Sequence, residues 1–309
     1  MHAETTVAGR VRRLELSPQA FRRLAFAGAL ALYLIVASGA TVRLTASGLG
    51  CEHWPGCAPG NPLPEKDYHA FIEFGNRIMS ALTIGATLLV WLGSLRTPGL
   101  TRGTRALAFA TFFGTLAQAP LGAITVYADL HPLLVMSHFL LALAVLAAGV
   151  VLALRAVKLE VGTAPTRLPK AIRIGAIVLA GAALVMIVTG TLATAAGPHP
   201  GGDDVRRLWR LYDAVYLHVR GTAVFGVVFL AVLIWLWRRR TVYPVLLEAG
   251  FLVLGLLLVQ MAVGELQYRT HLPWWLVLVH VSLAAAVWAA VVAFASLLRG
   301  PPASAAPVD

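Results

Sequence analysis

Long apolar runs separated by short polar segments fill most of the chain. Stretches free of Asp, Glu, Lys and Arg cover residues 24–42, 78–95, 106–128, 130–154, 174–202, 221–237, 249–264 and 270–298. About 20 apolar residues cross the hydrocarbon core of a bilayer as a helix, so the pattern predicts eight spanning helices, the sixth and seventh extended into polar flanks. The expected fold is an all-α polytopic membrane protein. The first run follows some two dozen polar residues and precedes seven further spans, which sets it apart from a cleaved signal peptide.

Composition agrees, with 59% hydrophobic residues, 13% charged and a mean hydropathy of +0.78. The net charge of +11 raises nucleic acid as a partner, and its distribution excludes it. An even number of spans puts both termini on one side. That side collects 17 of the 25 basic residues, among them Arg10, Arg12, Arg13, Arg96, Arg167, Lys170 and Arg238 to Arg240. The opposite side carries 9 of the 14 acids, including Glu52, Glu65, Asp67, Asp129, Asp203 and Asp204. By the positive-inside rule the termini are cytoplasmic, and the basic charge marks topology and contact with anionic lipid. Cys51 and Cys57, the two cysteines of the chain, then fall on the outer, oxidising side. An intramolecular disulfide is the expectation there, ahead of free thiols or a chance metal site with His53.

The two halves repeat. QAPLG from Gln118 and QMAVG from Gln260 are offset by 142 residues, and the same offset carries Gly122 to Gly264, His138 to His280 and Asn76 to His218. GATVRLTASG from Gly39 also resembles GTLATAAG from Gly190, but only across a gap. Two parallel four-helix bundles follow, residues 1–157 and 158–309, joined by a basic, proline-containing stretch. Each bundle offers a pair of residues from its second and fourth helices at similar depth in the outward half.

A lone histidine in a spanning helix is most simply an interhelical hydrogen-bonding group. Two of them at equal spacing in duplicated bundles point to a planar ligand held edge-on, and neutral imidazole is a common axial ligand of heme iron. His218 and His280 supply two such ligands in the second bundle. In the first, Asn76 stands where imidazole is expected, so His138 is its one strong ligand and a coordination position is left weak or open. Glu73, three residues before Asn76, shares its face and has Val215 as its counterpart. A carboxylate there can take protons or stabilise positive charge, the bland alternative being an ion pair with Arg77. Arg77 and Arg220, one and two residues beyond the ligand positions, and Arg43 and Arg269 at outer mouths, are candidate partners for propionates. Gln118 and Gln260 are expected as interhelical hydrogen-bonding groups.

GLGCEHWPGC, IEFGNR, QAPLGAITV with His138, HVR with His218, and VGELQYR with His280 together resemble the heme A synthase family, from about residue 24 to 298. The resemblance implies an oxidoreductase that converts heme O to heme A by successive hydroxylations of the C8 methyl to a formyl group. It implies heme b as cofactor between His218 and His280, with Arg220 near it. Heme O as substrate would lie against Glu73, Asn76, Arg77 and His138, and Cys51 and Cys57 match the outer cysteine pair of some members. The family's E-x-x-H-R is kept here as Glu73 and Arg77 and departs at Asn76, where His138 plus Glu73 are expected to suffice. The implied setting is the plasma membrane with the heme sites toward the outer side. A heme O synthase supplying substrate, an electron donor the sequence does not name and a homo-oligomer are the implied partners. The rival from another class is a diheme b-type membrane electron carrier, which wants both bundles six-coordinate; a transporter on a parallel repeat is a third reading.

Overall fold

The computed structural model describes residues 15–51, 53, 56–57, 60, 63–64, 67–164, 168–202, 205 and 207–303. Arg10, Arg12, Arg13, Glu52, Glu65, Arg167, Asp203 and Asp204, which entered the charge count, lie outside the described residues. Eight helices follow in order: α1 (Pro18–Leu44), α2 (Tyr68–Arg96), α3 (Arg102–Tyr127), α4 (Pro132–Val161), α5 (Lys170–Ala196), α6 (Leu211–Trp237), α7 (Pro244–Arg269) and α8 (Trp274–Arg299). Each is long and apolar enough to cross a membrane, and among the described residues there is no strand. The protein is a polytopic all-α membrane protein.

Local chemistry sets several of the boundaries. Ser17 caps α1 through the Ala20 amide at 3.2 Å, Asp67 caps α2 through Ala70 at 3.0 Å, and Thr101 caps α3 through Thr104 at 3.1 Å. Proline at the first turn starts α1, α4 and α7, where its missing N–H is harmless. Two helices begin well before their charge-free runs: α2 by ten residues, at Tyr68, and α6 by ten, at Leu211. In α2 the reason is visible, since Glu73 and Arg77 pair with each other on adjacent turns and the helix continues through them. The fifth run overshoots instead: α5 stops at Ala196, before the run ends at residue 202.

α1 packs on α2 and α4, and α3 on α2 and α4, closing one ring of four; α5 packs on α6 and α8, and α7 on the same two, closing another. α1 and α4 meet α8, and α4 meets α5, so these four helices form the seam. The main apolar core runs across it, with Leu146 of α4, Leu179 of α5 and Val287 and Val291 of α8 all buried. The repeat extends to the backbone. Asp129 and Leu130 between α3 and α4, and His271 and Leu272 between α7 and α8, take the same left-handed pair of conformations. In each turn the second residue donates five residues back, Leu130 to Thr125 O at 2.9 Å and Leu272 to Gln267 O at 2.7 Å. The basic ends are drawn together as topology requires: Arg22 pairs with Glu160 at 3.0 Å, and the Leu16 amide donates to Arg96 O at 2.9 Å.

Candidate functional site

A cavity of about 550 Å³ opens within the first ring, lined by Glu73, Asn76 and Arg77 of α2, Gln118 and Gly122 of α3, and His138 of α4. Its size is that of small-molecule and cofactor sites, roughly 300–1,000 Å³. All four residues expected at a substrate site in this half therefore share one space. Asn76 Oδ1 accepts from Ser38 of α1 at 2.9 Å. The imidazole of His138 stands over Gly122, where an added Cβ would lie 3.4 Å from Cε1, and its Nδ1 is buried without a hydrogen-bond partner. Gln118 donates to the backbone carbonyl of His138 at 3.3 Å and so fixes α4 against α3.

Glu73 is 5% exposed and doubly held. Its Oε2 accepts the Cys51 amide at 2.8 Å and its Oε1 meets Arg77 Nη2 at 2.5 Å. Arg77 also donates to the carbonyls of His53, at 2.6 Å, and Gly56. The two side chains thus hold the backbone at Cys51, His53 and Gly56, and that segment is closed by the expected disulfide, with a Cα–Cα distance of 4.4 Å. Sequence reasoning placed the pair at the pocket and missed the clamp. The signal was present in the six-residue cysteine spacing next to E-x-x-N-R, but nothing in it says which backbone atoms come within reach.

The second ring repeats the design with two imidazoles. His218 Nδ1 lies 3.1 Å from Met186 O, and a carbonyl can only accept, so this nitrogen carries the proton and Nε2 keeps its lone pair. That is the tautomer of a metal-ligating histidine. Gly190 of α5 seats the ring: an added Cβ would come within 3.0 Å of Cε1. His280 is seated on Gly264 in the same way, at 2.9 Å, and its Nδ1 is buried and unpartnered. Gln260 donates to His280 O at 3.1 Å, matching Gln118 in the first ring. Both glutamines are the interhelical groups expected of them. Four glycines, Gly39, Gly122, Gly190 and Gly264, therefore each face one of the four site positions, Gly39 lying 4.0 Å from Asn76 Oδ1 by the same measure. The donor set fits heme at both places: each imidazole has a nitrogen without a hydrogen-bond partner, Nδ1 on His138 and on His280, where Nε2 lies 3.3 Å from Gln260 Nε2, and Nε2 on His218, and the helices approach closely.

The remaining arginines are distributed unevenly. Arg220 is exposed, with its guanidinium 3.7 Å from the ring centroid of Tyr216, and is not brought to the face of His218. Arg269 pairs with Glu265 at 2.5 Å on the surface. Arg43, near the end of α1, lines the cavity and donates to Thr194 O of α5 at 2.7 Å.

A family model described as cytochrome oxidase assembly protein matches residues 22–199. Similar proteins named heme A synthase include one from Symbiobacterium thermophilum, 40% identical over 124 residues, which cover 39% of this chain and 40% of that relative. One from Bacillus pumilus is 30% identical over 161 residues, half of each chain, and one from Lysinibacillus sphaericus is 31% identical over 132 residues, 42% of this chain and 43% of the relative. The alignments span half or less of these relatives' lengths. The family match takes in α1 to α5 with Glu73, Asn76, Arg77 and His138, more than half of the sequence, and the chain belongs to the cytochrome oxidase assembly protein family.

Proposed function

We propose that the chain is a heme A synthase, an oxidoreductase that turns heme O into heme A by successive hydroxylations of the C8 methyl to a formyl group. Residues 1–157 form the substrate domain, with heme O in the cavity against His138, Asn76, Arg77 and Glu73. Residues 158–309 form the domain that holds heme b between His218 and His280. Bound iron would supply electron transfer where two imidazoles saturate it and oxidative chemistry where one position stays open. The chain's own residues do the rest. Glu73 presents a carboxylate held in one orientation by Arg77 and the Cys51 amide, where it can accept a proton or stabilise positive charge next to an apolar wall. The same two side chains fasten the disulfide-closed segment, which ties the carboxylate to a cross-linked stretch of backbone.

The observation that carries this reading is the asymmetry between matched sites: one imidazole, an amide and a buried carboxylate around a large cavity, against two imidazoles on glycine seats. A diheme electron carrier has no use for it. The reading places the protein in the plasma membrane with both termini cytoplasmic and the heme sites toward the outer face. It requires a heme O synthase upstream and an external electron donor, and it is compatible with a homo-oligomer. Chromatography of hemes extracted from cells that express the chain with a heme O supply tests it. Heme A is the expected product; unchanged heme O together with an intact b-type spectrum would leave an electron carrier.

A further inference from the structure

Next to the cavity lies a second, smaller void of about 180 Å³, lined by Arg43 and Leu44 at the end of α1, Ala46 just beyond it, and Pro198 to Gly202 and Arg207 after α5. Arg43, Leu44, Pro200 and Gly201 line both spaces, so the Arg43 side chain stands where the void and the cavity meet. Arg207 is exposed, donates to Pro198 O at 2.9 Å, and lines the same void as Arg43. Neither guanidinium forms an ion pair among the described residues, and Arg43 Nε is buried with no hydrogen-bond partner. Among the described residues, the other arginines at this end of the helices have partners of their own. Arg77 serves Glu73 and the disulfide loop, Arg210 pairs with Asp213 at 3.8 Å, Arg269 pairs with Glu265, and Arg220 lies on Tyr216.

A guanidinium buried at the edge of an apolar cavity, with a second cation on the same void, is unfavourable unless a ligand supplies the opposite charge. We propose that Arg43 and Arg207 form a two-cation site for the paired carboxylates of the porphyrin in the cavity, fixing that ring with its acidic edge at the α1–α5 seam. The inference rests on the porphyrin reading of the cavity. Two guanidiniums match two carboxylates in charge, and the Arg43 fork has an Nε free to bond one of them. The site also joins the halves, because Arg43 belongs to the first and Arg207 to the second. A ligand held by both reaches the correct depth only when the outer loops after α1 and α5 are docked, as they are through the Gly48 amide on Gly201 O at 3.1 Å.

The competing account is a cation at a helix end, with Arg43 merely satisfying Thr194 O at the end of α5. Titration of the purified full chain, already carrying one equivalent of heme, with ferric protoporphyrin IX and separately with its dimethyl ester separates the two. The wild type is expected to bind the diacid at least about tenfold more tightly than the diester, the scale of one charged hydrogen bond. Arg43→Gln and Arg207→Gln each shrink that ratio severalfold while leaving diester affinity in place, and Arg43→Lys recovers part of it. Equal binding of diacid and diester by the wild type, or a loss in Arg43→Gln that is the same for both probes, overturns the inference while leaving the cavity a porphyrin site. Failure of both probes to bind as a second equivalent overturns the porphyrin reading itself.

Discussion

Glu73 has two partners, and a substitution there has to be judged on both. Glu73→Gln keeps an acceptor for the Cys51 amide but removes the charge opposite Arg77. It is expected to abolish heme A formation while the b-type signal in reduced-minus-oxidised spectra persists; normal heme A content would remove this carboxylate from the chemistry. Glu73→Ala goes further, because it removes both the carboxylate opposite Arg77 and the acceptor of the Cys51 amide from a buried position. Breaking a buried pair in this way costs about 3 kcal/mol and would show as a lower thermal midpoint as well as lost activity. Asn76 supports the opposite experiment. Gly39 lies beneath it as Gly190 lies beneath His218, so there is room for a ring. Asn76→His is expected to give the first half a second strong axial ligand beside His138, adding a low-spin b-type signal and lowering turnover by closing the open position. An unchanged spectrum would mean that residue 76 and His138 do not face a common ligand.

The glycine seats belong to the scale of helix pairs, and their spacings predict a graded response. An added Cβ meets the imidazole at 2.9 Å from Gly264 and 3.0 Å from Gly190, but at 3.4 Å from Gly122, which is ordinary contact. Gly264→Ala and Gly190→Ala should therefore displace His280 and His218, cost about 1–3 kcal/mol by overpacking and weaken the b-type spectrum. Gly122→Ala should leave the helix pairing intact, and equal damage in all three would show that the glycines act through backbone freedom instead. The sixteen-residue interval from Gly to His was legible in the sequence because α3–α4 and α7–α8 are joined by turns of identical length. The seats on α1 and α5 were not, since the loops that follow those helices differ in length and the match of Gly39 with Gly190 needs a gap. Helix ends were misjudged wherever charge was read as a boundary: a window that excludes Glu and Arg cannot see that Glu73 and Arg77 neutralise each other inside α2. Eight spans and the disulfide depend on composition and cysteine placement, which a sequence displays. The clamp of Arg77 on His53 and Gly56 depends on loop geometry, which it does not.

Across the whole molecule, the two rings share more than a lipid environment. The largest apolar core crosses the seam, and within it the indole of Trp288 on α8 donates to Leu143 O on α4 at 2.8 Å. Trp288 is 8% exposed, so the bond is made where water does not compete. A pair of domains that merely touched would loosen separately, whereas a common core makes the substrate half and the heme b half one cooperative unit. Trp288→Phe tests this. It removes one buried hydrogen bond and part of a ring, together worth about 1–2 kcal/mol, without approaching any of the four ligand positions. Helicity of the entire chain and the Soret band of the second half should then fall at the same, lowered temperature. If helix is lost in two steps and the Soret band follows only one of them, the halves are independent and electrons pass between bodies free to move. If both signals shift together, the seam fixes the spacing of the two halves, which is what the proposed transfer of electrons between them requires.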